Sequence, residues 1–277
     1  MFNRSKITLL LCFIVSASKL TAGADPDQKI TYKKSVQTDL KIHVFFPKSH
    51  NFKGKTPAII FFFGGGWSGG SPKQFYPQCA HLAKRGMVAI SAEYRVKKSH
   101  GTDPKTCITD GKSAMRWLRN NAAKLGVDPN KIAAGGGSAG GHVAAAIATT
   151  KGFNEDGEDT SVSCIPQALV LYNPVFDNGP NGYGHKRVKA YWKDFSPMHN
   201  ISAKTPPTTV FLGTKDDLIP VATAKKYQSL MHKAGNRCDL HLYPGEKHGF
   251  FNKSKYNETI AEATRFLESL GYIKAAK

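Results

Sequence analysis

The sequence lacks any long apolar run apart from one near its start, and this excludes a protein with several membrane spans. That run, residues 7–17, is shorter than the roughly 20 apolar residues that cross a bilayer. Two basic residues precede it and Ala-Gly-Ala follows it at 22–24, which is the pattern of a secretory signal peptide. The sequence therefore predicts a signal peptide over residues 1–24 and a secreted or periplasmic mature chain, residues 25–277, without stable membrane insertion.

Cysteine is scarce, and none of the five cysteines has the Cys-x-x-Cys spacing of a metal site. Removal of the signal peptide leaves four, which allow three disulfide pairings in an oxidising compartment. Structural disulfides or buried free thiols are therefore expected rather than cysteine chemistry, and no metal or organic cofactor is implied. The four residues are Cys79, Cys107, Cys164 and Cys238.

Acidic residues are few, with 20 against 39 Lys and Arg, so the formal net charge is +19. Such a surface attracts polyanions. Nucleic acid is not the expected partner, because no recognition motif is present and the lysines are scattered rather than grouped in one stripe. Two interpretations remain: an acidic or sulfated polysaccharide as substrate, or a solubilising cationic surface without a specific partner.

No internal repeat or long linker divides the chain, and its length suits one large domain. β-rich runs alternate with helical segments, which predicts an α/β fold with a mainly parallel sheet and helices on both faces. The first two strands, around Tyr32 and Ile42, are polar enough for an antiparallel edge. Residues 174–207, rich in aromatics, Gly, Pro and Asn, are predicted to be an insertion that covers the carboxyl edge of the sheet, where ligands bind. The other expected strands are 57–63, 87–94, 131–136, 168–174 and 208–213, and the expected helices are 74–85, 111–124, 139–149, 221–234 and 258–270.

Two features of the surface follow from the same patterns. In the helix at 111–124, apolar residues recur at helical spacing with Arg116 and Arg119 between them, which predicts one packed face and one face in water. The acidic, glycine-containing segment 152–163 is predicted to be a mobile loop.

A glycine-rich stretch, AAGGGSAGGHVAAA at 133–146, contains one serine, Ser138, between a predicted strand and a predicted helix. Its centre matches G-x-S-x-G, in which a sharp turn lifts the hydroxyl above the sheet. The helix N-terminus then directs the Ala139 N–H toward a developing negative charge. A phosphate-binding turn is the alternative, but neither of the usual phosphate-loop motifs accompanies the stretch.

A serine needs a base to become a nucleophile, and the chain offers one in the order Ser, Asp, His. Asp216 follows a predicted strand in FLGTKDDLIP, and His248 follows the last strand in LYPGEKHGFFN. His248 is expected to take the Ser138 proton, and Asp216 to orient the imidazole. Asp217 is the alternative acid. Other histidines near the predicted site, His142, His185 and His199, are expected to line a pocket at most.

The stretch FFFGGGWSGG, residues 61–70, follows an early strand. Residues 63–70 are called the glycine loop below. Consecutive glycines can direct backbone N–H groups at a tetrahedral oxyanion, and Gly65 and Gly66 are the predicted donors together with Ala139.

The motifs FGGGW, SAEYR, GGSAGG, GTKD and KHGF together resemble the α/β-hydrolase superfamily. More narrowly, they are similar to the esterase/lipase branch related to hormone-sensitive lipase and to secreted acetyl-xylan and feruloyl esterases. The likeness extends from about Tyr32 to Leu270 and implies the same triad and the same oxyanion donors. One position departs from the pattern: the family's loop usually begins with histidine, and Phe63 stands there. We predict that apolar packing anchors the loop instead.

Aromatic residues near the predicted site offer faces for sugar rings or an aromatic acyl group. Trp67 lies in the glycine loop, and Tyr172, Tyr183 and Trp192 lie in or beside the insertion. The alternative is that several of them belong to the core. All four are predicted substrate-binding residues.

The expected function is that of a secreted serine carboxylesterase that removes small acyl groups, acetyl before feruloyl, from a carbohydrate ester. Export and positive charge favour an acylated, anionic polysaccharide or its fragments as substrate. Three alternatives share the fold: a lipase, a serine peptidase similar to prolyl oligopeptidase, and a non-catalytic binding protein whose glycine loop Phe63 has damaged.

Overall fold

Eight strands form one sheet within residues 25–275, the part of the chain that the computed structural model describes. The predicted signal peptide, residues 1–24, lies outside the described residues. The strand order is β1-β2-β4-β3-β5-β6-β7-β8. The strands are β1 (Gln28–Lys34), β2 (Asp39–Phe45), β3 (Thr56–Phe62), β4 (Val88–Ala92), β5 (Val127–Gly137), β6 (Ala168–Tyr172), β7 (Thr208–Gly213) and β8 (Cys238–Tyr243).

The sheet is parallel except at one edge. β1 pairs antiparallel with β2, and β2 pairs antiparallel with β4, which confirms the predicted antiparallel edge. All other neighbours are parallel. The difference follows from burial: β4, β6 and β7 are buried along their whole length, whereas β1 exposes most of its residues at least in part.

Helices cover both faces of the sheet, as predicted. The first face packs against α3 (Pro104–Asn120), α4 (Ala139–Thr149) and α7 (Val221–Lys233), and the second against α1 (Tyr76–Lys84) and α8 (Tyr256–Ser269). α3 begins earlier than predicted because Pro104 occupies its first turn, where the missing N–H costs nothing. Within residues 25–275, no helix has the length and apolar character needed to cross a membrane.

The polar side of α3 is not the surface that its periodicity predicted. Arg116 is 5% exposed and Lys112 is 1% exposed. Lys112 Nζ donates to the carbonyls of Thr150 (2.7 Å) and Gly152 (2.5 Å). Arg116 donates to the Glu158 carboxylate at 2.6 Å. The prediction of a face in water is therefore wrong at Arg116, whereas Asn120 at the end of the helix is exposed. The segment 152–163, which the composition indicated to be mobile, is anchored to α3.

The four cysteines of the described chain are free thiols, and all are buried. Burial raises the pKa of the Cys238 thiol to about 12, and it raises the pKa of Cys79 and Cys107 well above the usual range. A thiol held protonated in this way is a poor nucleophile and a poor metal ligand. Of the two structural alternatives for these residues, buried thiols are the one that the structure contains.

The insertion at 174–207 carries two single-turn helices, α5 (His185–Val188) and α6 (Trp192–Phe195). A further short helix, α2 (Lys97–His100), follows β4. The insertion contacts the glycine loop: Arg187 Nη1 donates to the Gly66 carbonyl at 2.6 Å. The insertion therefore lies at the carboxyl edge of the sheet, beside the predicted oxyanion donors.

Candidate active site

Ser138 occupies a strained turn between β5 and α4. Its backbone has φ 53° and ψ −120°, a conformation that non-glycine residues seldom adopt. The positions two residues to either side must be glycine, because a side chain at Gly140 would meet the carbonyl oxygens of Phe62 and Phe63. A side chain at Gly136 would meet the backbone of Gly140. The glycines thus let strand and helix approach closely, and the turn raises the serine hydroxyl above the sheet edge.

Ser138, His248 and Asp216 form a continuous hydrogen-bonded chain. Ser138 Oγ lies 2.9 Å from His248 Nε2, and His248 Nδ1 lies 2.8 Å from Asp216 Oδ2. The carboxylate accepts the Nδ1 proton, which leaves Nε2 as the acceptor for the serine hydroxyl. The structure thus brings together residues that are 110 positions apart for Ser138 and His248 and 32 positions apart for Asp216 and His248.

Asp216 is held rigidly in the loop after β7. Its side chain is fully buried, and its second oxygen, Oδ1, accepts the backbone N–H groups of Leu218 and Ile219, each at 2.9 Å. Both carboxylate oxygens are therefore engaged, and the orientation of the imidazole is fixed. Asp217, the alternative acid, is exposed.

Asn173 is a site residue that sequence reasoning missed. It follows β6 with φ 35° and is fully buried. Its Oδ1 accepts the Gly249 N–H at 3.1 Å, and its Nδ2 lies 3.3 Å from His248 Nε2. Asn173 therefore positions the loop that carries the histidine. The available signal was its place directly after a buried strand in LYNP, at the carboxyl edge.

The glycine loop is anchored by packing and by hydrogen bonds. Phe63 stacks on Tyr94 with ring centroids 4.1 Å apart, which is the kind of apolar contact predicted in place of the histidine. Polar contacts that the sequence did not indicate also hold the loop. Tyr94 Oη donates to the Phe63 carbonyl at 2.5 Å, and the Gly64 N–H donates to Gln74 Oε1 at 2.6 Å.

Two of the three predicted oxyanion donors, Gly65 and Gly66, line the same cavity as the nucleophile. Gly65 and Gly66 have positive φ values of 142° and 62°, and no hydrogen bond within residues 25–275 uses their N–H groups. Ala139 is the first residue of α4, so its N–H has no carbonyl partner inside the helix. The cavity measures about 240 Å³, and its wall includes Gly65, Gly66, Ser138, Asn173, Tyr183 and His248.

Two of the four predicted substrate-binding residues are almost fully buried. Tyr172 is fully buried and stacks on Phe211, and Trp67 is 1% exposed. Their rings belong to the core, so neither can stack on a sugar. Tyr183 does line the cavity at Ser138. Trp192 is partly buried against His185 and His199 and is not among the residues that line this cavity.

The other histidines of the region are engaged in structural contacts. His142 is fully buried with Nε2 3.1 Å from the Phe195 carbonyl. His185 Nδ1 lies 2.8 Å from the Asn178 carbonyl, and His199 Nδ1 lies 2.9 Å from Ser196 Oγ. In the part of the chain that the structure describes, no group of three or more His, Cys, Asp or Glu side chains is placed to hold a metal ion.

The buried imidazole of His142 is expected to make stability depend on pH. Burial lowers the pKa of His142 to about 3, whereas the unfolded side chain titrates near 6.5. Its contribution is fully present above pH 6.5 and is lost as the pH falls toward 3, because the unfolded chain then binds a proton that the folded chain excludes. The free energy of unfolding should therefore decline by up to about 1.4 kcal/mol per pH unit from this group.

Urea unfolding of the wild type and His142→Gln between about pH 4.5 and pH 7 isolates this contribution from that of the carboxylates. The glutamine keeps a donor for the Phe195 carbonyl but takes up no proton. The variant should show a flatter dependence on pH, and equal slopes would contradict the expectation.

A serine on a strand-to-helix turn, with Asp and His following later strands of a mixed sheet, defines a serine hydrolase of the α/β-hydrolase type. The comparisons with known proteins agree with this class. The BD-FAE family model matches residues 42–170, and the dienelactone hydrolase family model matches residues 182–275. The chain belongs to the esterases of the α/β-hydrolase superfamily.

Similar proteins and solved structures support the assignment to the esterases. The chain is 35% identical over 252 residues to the carboxylesterase NlhH of Mycobacterium tuberculosis, an alignment that covers 82% of this chain and 76% of NlhH. It is 27% identical to the acetylxylan esterase of Xylanibacter ruminicola, covering 83% of this chain and 48% of that enzyme. The structure of Thermogutta terrifontis esterase 2 phosphorylated by paraoxon is 41% identical, with a TM-score of 0.85 and coverage of 90% and 96% of the two chains.

A second structure of the Thermogutta esterase, with propionate bound, is 40% identical with a TM-score of 0.86, and covers 92% of this chain and 97% of that chain. The chain spans about half the length of some curated relatives, 48% of the acetylxylan esterase and 53% of the esterase LipC of Mycobacterium tuberculosis.

Proposed function

We propose that the protein is a serine carboxylesterase in which Ser138, His248 and Asp216 act as a catalytic triad. The observation that carries the proposal is the chain of contacts of 2.9 and 2.8 Å from the Ser138 hydroxyl through His248 to Asp216. His248 Nε2 takes the Ser138 proton as Oγ attacks the ester carbon, and then gives it to the departing alcohol. In the second half of the reaction, His248 takes a proton from water as the water attacks the acyl carbon. The bond to Ser138 Oγ then breaks, the acid leaves, and His248 returns the proton to Oγ.

The negative charge of each tetrahedral intermediate falls on the former carbonyl oxygen. The N–H groups of Gly65, Gly66 and Ala139 are the proposed donors to this oxygen. Two observations support the role: these glycine N–H groups have no partner among the described residues, and both glycines share the wall of the Ser138 cavity. Because Asp216 already accepts two backbone N–H groups, it stabilises the imidazolium without taking its proton.

The acyl group is proposed to be small, with acetyl as the preferred group. The cavity at Ser138 is only about 240 Å³, which limits the chain that fits beside the nucleophile. The Thermogutta esterase, which shares 40% identity with this chain, has been solved with propionate bound, and a further structure of it holds butyrate. A long acyl chain, the substrate of a lipase, would need a larger apolar channel.

The alcohol part of the substrate is proposed to be a carbohydrate, and the protein to be secreted or periplasmic. Support comes from the similarity to an acetylxylan esterase, the predicted signal peptide and the net charge of +19. A positive surface raises the local concentration of an anionic polysaccharide.

Hydrolysis of p-nitrophenyl esters of increasing acyl length, together with acetate release from acetylated xylan, tests this assignment. We expect kcat/KM to be highest for acetate or propionate and to fall by about tenfold or more at octanoate, because the extra methylenes cannot be buried in the cavity. Acetate should be released from the xylan. A preference for long chains would favour a lipase, and cleavage of a prolyl peptide without ester turnover would favour a peptidase.

A further inference from the structure

A second cavity, of about 300 Å³, borders the glycine loop next to the one that contains Ser138. Gly66 lines the cavity at Ser138, and the next two residues, Trp67 and Ser68, line the second cavity. Arg187 joins the two: it lines the second cavity, donates to the Gly66 carbonyl at 2.6 Å, and places its guanidinium 5.4 Å from the ring of Tyr183. The second cavity is therefore a direct neighbour of the reaction site.

The charged groups in the wall of this cavity favour an anion. Lys97 and Arg187 both line it, and the Lys97 ammonium makes no ion pair or hydrogen bond within residues 25–275. The one carboxylate in the wall, Asp103, is already engaged: Lys105 Nζ lies 3.5 Å from it, and Thr106 Oγ1 donates to it at 3.2 Å. Two cations thus face one carboxylate that has its own partners.

Two polar groups in the same wall have no partner. Trp67 Nε1 and Thr102 Oγ1 are buried, and neither forms a hydrogen bond within the described part of the chain. Buried polar groups in native proteins are nearly always hydrogen-bonded, so an unpaired donor indicates a partner that the chain itself does not supply. Both residues contribute to the wall of the second cavity, as Lys97 and Arg187 do.

We infer that this cavity is a subsite for an anionic group of the substrate, the carboxylate of a uronic acid or the sulfate of a sulfated sugar. The inference rests on the proposed esterase function and specifies that the sugar of the substrate carries a negative charge. Lys97 and Arg187 supply positive charge, with the planar guanidinium suited to paired contacts with oxygen atoms. Trp67 and Thr102 contribute to the wall around these charges. An ester on a neutral sugar supplies no negative charge to Lys97 and Arg187.

Arg187 also links this subsite to the reaction. Its guanidinium lies 4.8 Å from the Trp67 ring, and one of its N–H groups is used on the Gly66 carbonyl. Its remaining N–H groups, Nε and Nη2, form no hydrogen bond within residues 25–275. An anion bound to them holds Arg187 in place and thereby fixes Gly66, one of the proposed oxyanion donors.

The test compares three acetylated methyl glycosides with the acetyl group at the same position: a glucoside, a glucuronoside and a sulfated glucoside. p-Nitrophenyl acetate serves as an ester with no sugar. The wild type is expected to favour the glucuronoside or the sulfated glucoside over the neutral glucoside by about tenfold in kcat/KM, the effect of one charge-assisted hydrogen bond.

Lys97→Met is expected to reduce this preference to about twofold or less, because the methionine keeps the apolar stem and removes the charge. Lys98→Met, one position along, removes the same charge from a residue that does not line the cavity, and it should keep the preference. Lys98 does not line the cavity, so Lys98→Met should hydrolyse p-nitrophenyl acetate at the wild-type rate, and thermal unfolding verifies that Lys97→Met is folded.

The outcomes separate this inference from the function on which it rests. Absence of p-nitrophenyl acetate hydrolysis in the wild type would overturn both. Normal hydrolysis with equal kcat/KM for the three glycosides would overturn the subsite alone. A preference that falls equally in Lys97→Met and Lys98→Met would also overturn it, because general attraction by the positive surface would then explain the result.

Discussion

Replacement of Ser138 by alanine is expected to lower kcat/KM for p-nitrophenyl acetate on the order of 10⁴-fold or more. In the proposed mechanism this hydroxyl forms the acyl intermediate, and its contact of 2.9 Å with His248 places a base beside it. Steady-state hydrolysis measured with purified wild type and variant gives the comparison. KM is not informative at such low rates, so kcat/KM is the quantity to report.

Paraoxon provides an independent measure of the same serine. The Thermogutta esterase, 41% identical to this chain, has been solved phosphorylated by this compound. Intact-protein mass spectrometry should show one diethylphosphoryl group on the wild type and none on Ser138→Ala. Ser161→Ala, a change at an exposed serine outside the cavity, should behave as the wild type in both assays. Equal rates and equal labelling in wild type and Ser138→Ala, with folding verified by circular dichroism, would refute the assigned nucleophile.

The second large effect is expected for Asp216→Asn, with a loss of kcat of about 10⁴-fold. The side chain keeps its shape, but an amide cannot stabilise the imidazolium and favours the wrong tautomer of His248. The distance of 2.8 Å between Asp216 Oδ2 and His248 Nδ1 makes this contact specific. Initial rates of p-nitrophenyl acetate hydrolysis are sufficient to detect the loss.

The chain offers a matched control for this change at the next position. Asp217→Asn removes the same charge from an exposed residue and should leave kcat within about twofold of the wild type, as expected for a surface change. Asparagine keeps one side-chain oxygen that can accept the two backbone N–H groups, so Asp216→Asn should stay folded. Thermal unfolding of both variants verifies this at the assay temperature. The reverse pattern, with Asp217→Asn inactive and Asp216→Asn active, would reassign the acid.

The parallel strands were the most predictable part of the fold. β3, β6 and β7 begin at or within one residue of their predicted starts, because a strand buried from both sides is an unbroken apolar run between turn residues. The site could be located for a related reason. Ser138, Asp216 and His248 each directly follow a strand or lie in the loop after it, and the carboxyl ends of parallel strands meet at one edge.

Contacts between distant segments could not be predicted. Gln74 has no local feature that marks it as the acceptor for the Gly64 N–H, and Arg187 gives no sign that it will bond to Gly66. For the same reason, the burial of Trp67 and Tyr172 could not be predicted from the sequence. An aromatic ring beside a site and an aromatic ring in the core below it have the same local sequence, and only the packing of separate elements distinguishes them.

Burial of charge on α3 was missed because helical periodicity treats every arginine as a surface residue. Arg116 and Lys112 are buried because the segment 152–163 folds over them and supplies carbonyl and carboxylate acceptors. That cover lies more than thirty residues away along the chain, at sequence separations of 38 to 42 for these contacts. A pattern read over a single helix cannot include it.

The four buried thiols have a consequence for how the chain can be made. Because no covalent cross-link between them contributes to the fold, folding requires no oxidant and no disulfide isomerase. The same native structure is therefore reached in a reducing cell interior and in an oxidising exterior. Overproduction of residues 25–277 under reducing conditions should therefore give the same fold, and reducing agents added during purification do not weaken it.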